Sequence, residues 1–230
     1  MFSRFQSRST KLERLDTGDY TAEEYARWHS EMRYIHRAFG EVRAIRGTLL
    51  REIAAGGSGR VSILDVGAGS GELLRAIGND LKGRAVHLAG AELDADAARA
   101  IGGGDQGSRI DAVRCDALNM PFAEGGFDYV ICTLFMHHLT DSDAVRLLAE
   151  MSRVAKKRIF VVDLHRHWVA YYFYSAAARV LLQRFTREDG ALSILRSFTP
   201  EELRTLAERA GLSEISVRRS AAYRLVLSGK

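Results

Sequence analysis

The chain has 230 residues, 47% of them hydrophobic and 27% charged, with a net charge of +4. That length holds one large domain with room for a small addition, and the composition excludes a disordered, fibrous or disulfide-dense chain. The positive excess is spread along the chain rather than gathered in a Lys/Arg stripe with interleaved aromatics, so no nucleic-acid partner is expected.

Residues 1–18 are polar and expected to be loose. They lack the apolar stretch of a signal peptide. Thr21 and Glu24 form a capping-box pattern that opens a helical stretch to about Ile53. Tyr25, Trp28, Met32, Ile35 and Phe39 follow at spacings of three and four, an amphipathic stripe, and Gly40 divides the stretch into two helices. Residues 56–60 read as a loop. The period then shortens. Strands are predicted over 61–66, 86–91, 110–115, 127–132 and 158–163. Helices follow the first through Leu73, Leu74 and Ile77, the second from an Asp94 cap, and the fourth over 141–155 with Asp141 as cap. A glycine turn is predicted over 102–104. Residues 168–186 read as one strongly aromatic helix. Thr199-Pro-Glu-Glu202 reads as a helix start, with a cap, a proline at the first position and then acids. Two strands near 214–219 and 222–228 close the chain as a hairpin. Strands alternating with helices predict an α/β, Rossmann-like, mostly parallel sheet with helices on both faces. The predicted organisation is an N-terminal helical lid over 1–55 and a main domain over 56–230, with an aromatic insertion at about 166–197.

The two cysteines, Cys115 and Cys132, lie in apolar strand-like runs, make no metal pattern and suit a reducing cytosol, so a cytoplasmic location is expected. No run approaches the roughly 18 apolar residues of a membrane span, so no integral membrane contact is expected. The assembly is left open between a monomer and a homodimer.

In open α/β sheets ligands bind outside the carboxyl ends of the strands. After the first strand comes Gly67-Ala-Gly69-Ser-Gly71, whose glycines allow a tight turn and a close approach of ligand to backbone. A dinucleotide fingerprint starting at Gly67 would need glycine at position 72, where Glu72 stands. Asp65 at the same turn repels a pyrophosphate but suits an ammonium and a sulfonium. After the second strand Glu92 can accept the hydroxyls of a ribose, and after the third Asp116 can accept from an adenine amine. Together the three acids fit one ligand with an amino-acid end, a ribose and an adenine.

With these residues the chain resembles the class I S-adenosylmethionine-dependent methyltransferases, over about 56–228. The resemblance rests on Ile63-Leu-Asp-Val-Gly-Ala-Gly-Ser-Gly71, Gly90-Ala-Glu-Leu-Asp94, Cys115-Asp-Ala-Leu-Asn-Met-Pro-Phe122, Phe127-Asp-Tyr-Val-Ile-Cys132 and Phe198-Thr-Pro-Glu-Glu-Leu203. It implies a seven-stranded sheet with an antiparallel last strand. It implies S-adenosyl-L-methionine as cofactor, its methionine part held by Asp65, Gly67, Ala68, Gly69 and Gly71. Glu92 would take the ribose, Leu93 would pack on the adenine, Asp116 with Ala117 would take its amine, and Thr133 would lie near the sulfur. Leu134-Phe-Met-His-His138, Asp163-Leu-His-Arg166, Asp189-Gly-Ala-Leu-Ser193 and the N-terminal helix pair resemble a bacterial subgroup linked to polyketide and other secondary metabolism. That subgroup usually has asparagine where His36 stands here.

Methyl transfer from a sulfonium is an in-line displacement, with the nucleophile held roughly 3 Å from the methyl. A phenol or enol nucleophile is helped by a general base, for which histidine is suited near neutral pH. His137, His138 and His165 fall at the ends of the fourth and fifth strands. One of them, His138 ahead of His165, is expected to contact or deprotonate the acceptor, the alternative being that they only hold the loop. Tyr25 and Trp28, with Trp168 and Tyr172, are expected to line the acceptor pocket. No metal is expected. The expected activity is methyl transfer to oxygen of a small aromatic or polyketide-like acceptor. The alternatives are carbon methylation of a quinone precursor, a nicotinamide-dependent oxidoreductase, or a non-catalytic binding protein.

Overall fold

A computed structural model describes residues 3–38, 41–103 and 110–230. A seven-stranded sheet runs in the order β3-β2-β1-β4-β5-β7-β6. Its strands are β1 Val61–Val66, β2 Val86–Glu92, β3 Ile110–Arg114, β4 Phe127–Thr133, β5 Ala155–Leu164, β6 Ser216–Ser220 and β7 Arg224–Gly229. All neighbours pair in parallel except β7, which is antiparallel to both β5 and β6. The expected fold, with its terminal hairpin, is thus the observed one. Ala222 and Tyr223 take φ of 54° and 52° to turn that hairpin. Such left-handed residues match the twist of the strands they join.

Alternation along the strands sorts side chains to the two faces. Val61 and Ile63, Tyr129 and Ile131, and Phe160 and Val162 pack with Ala44, Ile45, Leu49 and Ile53. These come from α3 (Glu41–Gly47) and α4 (Leu49–Ala55). Leu74 and Ile77 of α5 (Glu72–Asp80) and Ile101 of α6 (Ala95–Gly102) complete that layer. Leu64 and Val66, Val130 and Cys132, and Ile159 and Val161 face α7 (Asp141–Val154) and α10 (Pro200–Arg209) on the other side. The chain runs outward from β1 to β3 and returns to β4 beside β1. Between β1 and β4 lies the topological switch point, where a ligand cleft is expected.

The helix starts follow local chemistry. Thr21 Oγ1 accepts from Glu24 N at 3.1 Å, and Glu24 Oε2 accepts from Thr21 N at 2.9 Å, the reciprocal capping box that opens α2 (Ala22–Ala38). Asp94 Oδ1 accepts from Asp96 N and Ala97 N at the start of α6. Thr199 and Glu202 box α10, with Pro200 at its first position. Before α7 the cap is Thr140 rather than the expected Asp141, which is the first helical residue.

Three expectations are corrected. The helical stretch 41–55 breaks again at Thr48, between α3 and α4. The aromatic stretch is two helices, α8 (Trp168–Leu181) and α9 (Arg184–Arg196). The break at Gln183 is held from outside, since Glu31 Oε1 accepts from its N–H at 3.1 Å and the Glu24 carbonyl accepts from its amide at 2.8 Å. The N-terminal segment is not loose. It contains a short helix, α1 (Arg14–Thr17), and Arg8 donates to the carbonyls of Arg196, His137 and Leu139 and pairs with Asp141. Phe39, Gly40 and the last residue of the predicted glycine turn at 102–104 lie outside the described residues, as does the side chain of His36, while Gly102 ends α6 and Gly103 caps it.

Candidate active site

Asp65, the penultimate residue of β1, is 1% exposed, and its Oδ1 has no hydrogen-bond partner among the described residues. Burial pushes its pKa well above the usual carboxylate range, and the neighbouring carboxylates of Glu92 and Glu41 add to this. A buried carboxyl without a cation opposite it invites a positively charged ligand group. The backbone then turns through Gly67, Gly69 and Gly71, with φ of 70°, 53° and 79°. A side chain at Gly67 would place its Cβ 2.9 Å from Phe135 Cγ, so that glycine is required by the packing beneath the loop. A Cβ at Gly69 would meet nothing within 4 Å, which leaves this side of the loop open to a ligand.

Glu92 ends β2. Its Oε2 accepts from Gly69 N at 2.9 Å and its Oε1 from Leu93 N at 2.8 Å and Asp94 N at 3.2 Å, so the acid is tied to the glycine loop while Oε2 keeps a lone pair for a hydroxyl. Leu93 is 64% exposed beside it, an apolar platform in solvent. Asp116 follows β3, exposed, with Oδ1 accepting from Leu118 N and Ala117 packing behind it. Orphaned acid, open glycine loop, anchored second acid and apolar platform lie in order along one sheet edge. They fit the ammonium, backbone, ribose and adenine of S-adenosylmethionine.

A cavity of about 990 Å³ opens from the glycine loop. Asp65, Gly67, Ala68, Gly69 and Thr133 border it at the cofactor end. Trp28 and Met32 of α2 and Val169, Phe173 and Ala177 of α8 form apolar walls. Leu134, at the cavity edge after β4, has φ of 49°, a strained conformation for a branched residue. His137, His138 and His165 all border the cavity.

The three histidines differ in their surroundings. His137 is 3% exposed, and its Nδ1 faces Asp163 Oδ1 at 2.7 Å. Asp163, at the end of β5, also accepts from His137 N and Leu164 N. Burial alone would raise the Asp163 pKa, but the His137 ring and these hydrogen bonds outweigh it and hold it below the usual value. The anion fixes the proton on Nδ1 of His137 and leaves Nε2 as the nitrogen able to accept. His138 Nδ1 faces Asp16 Oδ1 at 2.8 Å, a partner from α1. Among the described residues His165 has no carboxylate at hydrogen-bond distance. Burial, then the charges of His167 and Arg219, pull its pKa down to about 4, so it is neutral and weakly basic at neutral pH.

Of the expected pocket residues, the structure brings Trp28 to the cavity and leaves three outside its lining. Tyr25 stacks between Tyr20 and Trp28, in a group that also includes Phe185 and ties α2 to α9. Trp168 is 46% exposed against His167, and Tyr172 packs edge-on against Phe5 and Tyr171. One helical turn sets this geometry. Residues 168 and 172 share one face of α8, while 169, 173 and 177 share the face toward the cavity.

Several residues at the site carried no sequence signal. Glu13, 3% exposed, borders the cavity, and burial pushes its pKa up to about 7. Arg196 donates to the carbonyls of His137 and His138 and to Asp16 Oδ2. Asp163 was legible as part of a subgroup motif, but not as the partner of His137.

The comparisons with known proteins agree with this geometry. A methyltransferase-domain family model matches residues 63–158, from β1 into β5. The ubiquinone/menaquinone biosynthesis C-methyltransferase UbiE of Burkholderia vietnamiensis is 31% identical in an alignment of 169 residues that covers 66% of this chain and 68% of that one. The chain belongs to the S-adenosylmethionine-dependent methyltransferases. The Burkholderia thailandensis UbiE is 30% identical over the same shares. Among solved structures, the plantazolicin methyltransferase BpumL with a triazolic desmethylPZN analog and SAH superposes with a TM-score of 0.66 at 14% identity, covering 88% of this chain and 93% of that one. A SAM-dependent methyltransferase from Aquifex aeolicus gives 0.57 at 15% identity, covering 85% and 96%. Both likenesses are of fold. Among the described residues no helix of this methyltransferase is long and apolar enough to cross a membrane.

Proposed function

We propose that this methyltransferase acts on the hydroxyl oxygen of a small aromatic or polyketide-like acceptor held in the cavity between α2, α8 and the glycine loop. The observation that carries the reading is the buried Asp163–His137 pair bordering an apolar cavity that opens onto Asp65, Gly69 and Thr133. S-adenosylmethionine, when bound, supplies an electrophilic methyl group on a sulfonium. Asp65 and the glycine loop hold its amino-acid end, Glu92 its ribose, and Leu93 with Asp116 and Ala117 its adenine. Thr133 borders the sulfur end.

The rest is the work of this chain's own residues. The walls from α2 and α8 hold a planar apolar acceptor and exclude water. His137 Nε2 takes the acceptor hydroxyl's proton, and the Asp163 anion keeps the ring in the tautomer that can do so. His138, held by Asp16, lines the same end of the cavity. Neutral and weakly basic, His165 is the poorer base.

A second reading is favoured by the relatives, which are named as C-methyltransferases of ubiquinone/menaquinone biosynthesis. Deprotonating a hydroquinone or phenol places charge on oxygen and on the adjacent ring carbons alike, so the same pair would serve attack by carbon. Carbon-13 methyl-labelled S-adenosylmethionine, incubated with phenols, enols and hydroquinones, tests both readings. A methoxyl resonance supports transfer to oxygen, and an aryl methyl resonance supports transfer to carbon. Lack of turnover across the panel overturns the cavity's assignment to such acceptors.

A further inference from the structure

The fold brings together three potential ligands that no spacing in the sequence connects. Glu13, His137 and His138 each place a donor atom within 4.8 Å of the other two. Both rings are already engaged at Nδ1, His137 by Asp163 at 2.7 Å and His138 by Asp16 at 2.8 Å. That leaves Nε2 of each for a ligand. A carboxylate behind each histidine is the usual support of a metal-binding imidazole, since it fixes the tautomer and raises ligand basicity. Glu13 is 3% exposed, and among the described residues its Oε1 has no hydrogen-bond partner, with Arg196 Nε standing 3.8 Å away. A buried carboxylate oxygen left without a donor is an independent sign of a missing cation.

We propose that Glu13, His137 and His138 form a binding site for a divalent transition-metal ion of the zinc type at the acceptor end of the cavity. Two imidazoles and one carboxylate suit Zn²⁺ and its neighbours in the first transition row, and three protein ligands leave a position open toward the cavity. The charge balance favours a cation. Glu13, Asp16, Asp163 and Asp141 surround the group, against Arg196 and Arg8. The open position faces the space that the preceding reading assigns to the acceptor hydroxyl. The proposal rests on that reading for this placement alone, and the binding of an ion stands without it. An ion on His137 Nε2 and proton abstraction by the same atom are mutually exclusive, so the chelated and the loaded protein separate the two roles.

The test uses the tag-free full chain, stripped with a chelator and titrated calorimetrically with Zn²⁺, with Co²⁺ absorption as a second readout. One equivalent of Zn²⁺ and a tetrahedral Co²⁺ spectrum are expected. Glu13→Gln, His138→Ala and the milder His138→Gln should each weaken binding at least about tenfold while the folded circular-dichroism spectrum persists. His87→Ala, at a remote surface histidine, should leave binding unchanged. Lack of stoichiometric binding by the wild type, or equal affinity in the folded Glu13 and His138 variants, overturns the site. Turnover of the chelated protein reports separately on the histidine base, so failure of one proposal is not failure of the other.

Discussion

Single residues at this site carry opposed demands of stability and function. Asp65 is fully buried, lacks a cation partner among the described residues and is pushed toward its neutral form. Asp65→Asn should therefore hold or raise the melting temperature while weakening S-adenosylmethionine binding at least about tenfold, by calorimetry. Parallel loss of both would make the acid a structural residue only. The Asp163–His137 pair predicts the converse pattern. His137→Ala and Asp163→Asn should lower kcat by roughly 10²–10⁴-fold with cofactor affinity unchanged, measured in the chelated protein on whichever acceptor turns over. An unchanged kcat in both would remove the proton-transfer role. The acids after β1, β2 and β3 were legible because each strand end is a local feature. The partner of His137 was not, because β5 and the turn after β4 meet only when the sheet forms.

At the scale of elements, α8 and α9 show how a chain segment becomes a wall. The motif Asp189-Gly-Ala-Leu-Ser193 has a packing explanation. Asp189 accepts from Arg14 N and Leu15 N, both at 2.9 Å, and so caps α1 from across the fold. A Cβ at Gly190 would stand 2.1 Å from the Tyr174 hydroxyl and 2.4 Å from its Cζ. That hydroxyl is fixed by donating to the Thr186 carbonyl at 2.7 Å. Gly190→Ala should thus destabilise the protein by about 1–3 kcal/mol in chemical denaturation. Tyr174→Phe in the same chain should recover part of the loss, a coupling that two independent sites would not show. The N-terminal segment is tied by Arg8 and Asp16 to the loop that holds His137 and His138. Its polarity suggested a loose end because Arg8 and Asp16 find their partners far away in the chain.

For the whole molecule, charge buried between the layers sets the dependence of stability on pH. Glu41, at the start of α3, is 6% exposed, and its pKa is pushed up to about 7. Burial is the main cause. Arg224, across at 3.9 Å, opposes it, while Asp163 and Glu72 are like charges that add to it. A carboxyl whose folded pKa is raised binds its proton more tightly in the folded protein. Its contribution to stability is therefore complete below the unfolded value near 4.5 and is lost as pH rises through about 7. In the cofactor-free protein this is on the order of 3 kcal/mol between those limits. Glu41→Gln should flatten that part of the curve, measured by denaturant melts across the range. An unchanged slope would locate the titration elsewhere.

The individual strands, most of the helix caps, the glycine loop and the positions of the three acids at strand ends were legible in the residues, and the seven-stranded sheet in the family resemblance. The strands show as local periodicity, the caps and the loop as cap and turn chemistry, and the acids as what stands at each strand's carboxyl end. Which aromatic residues face the cavity, where the aromatic stretch breaks, and that Glu13 stands with His137 and His138 were settled by the folded chain. Those outcomes depend on contacts between distant segments, on helix rotation and on burial. Trp28 and Trp168 are alike in kind, and it is packing that turns one toward the cavity and the other toward solvent.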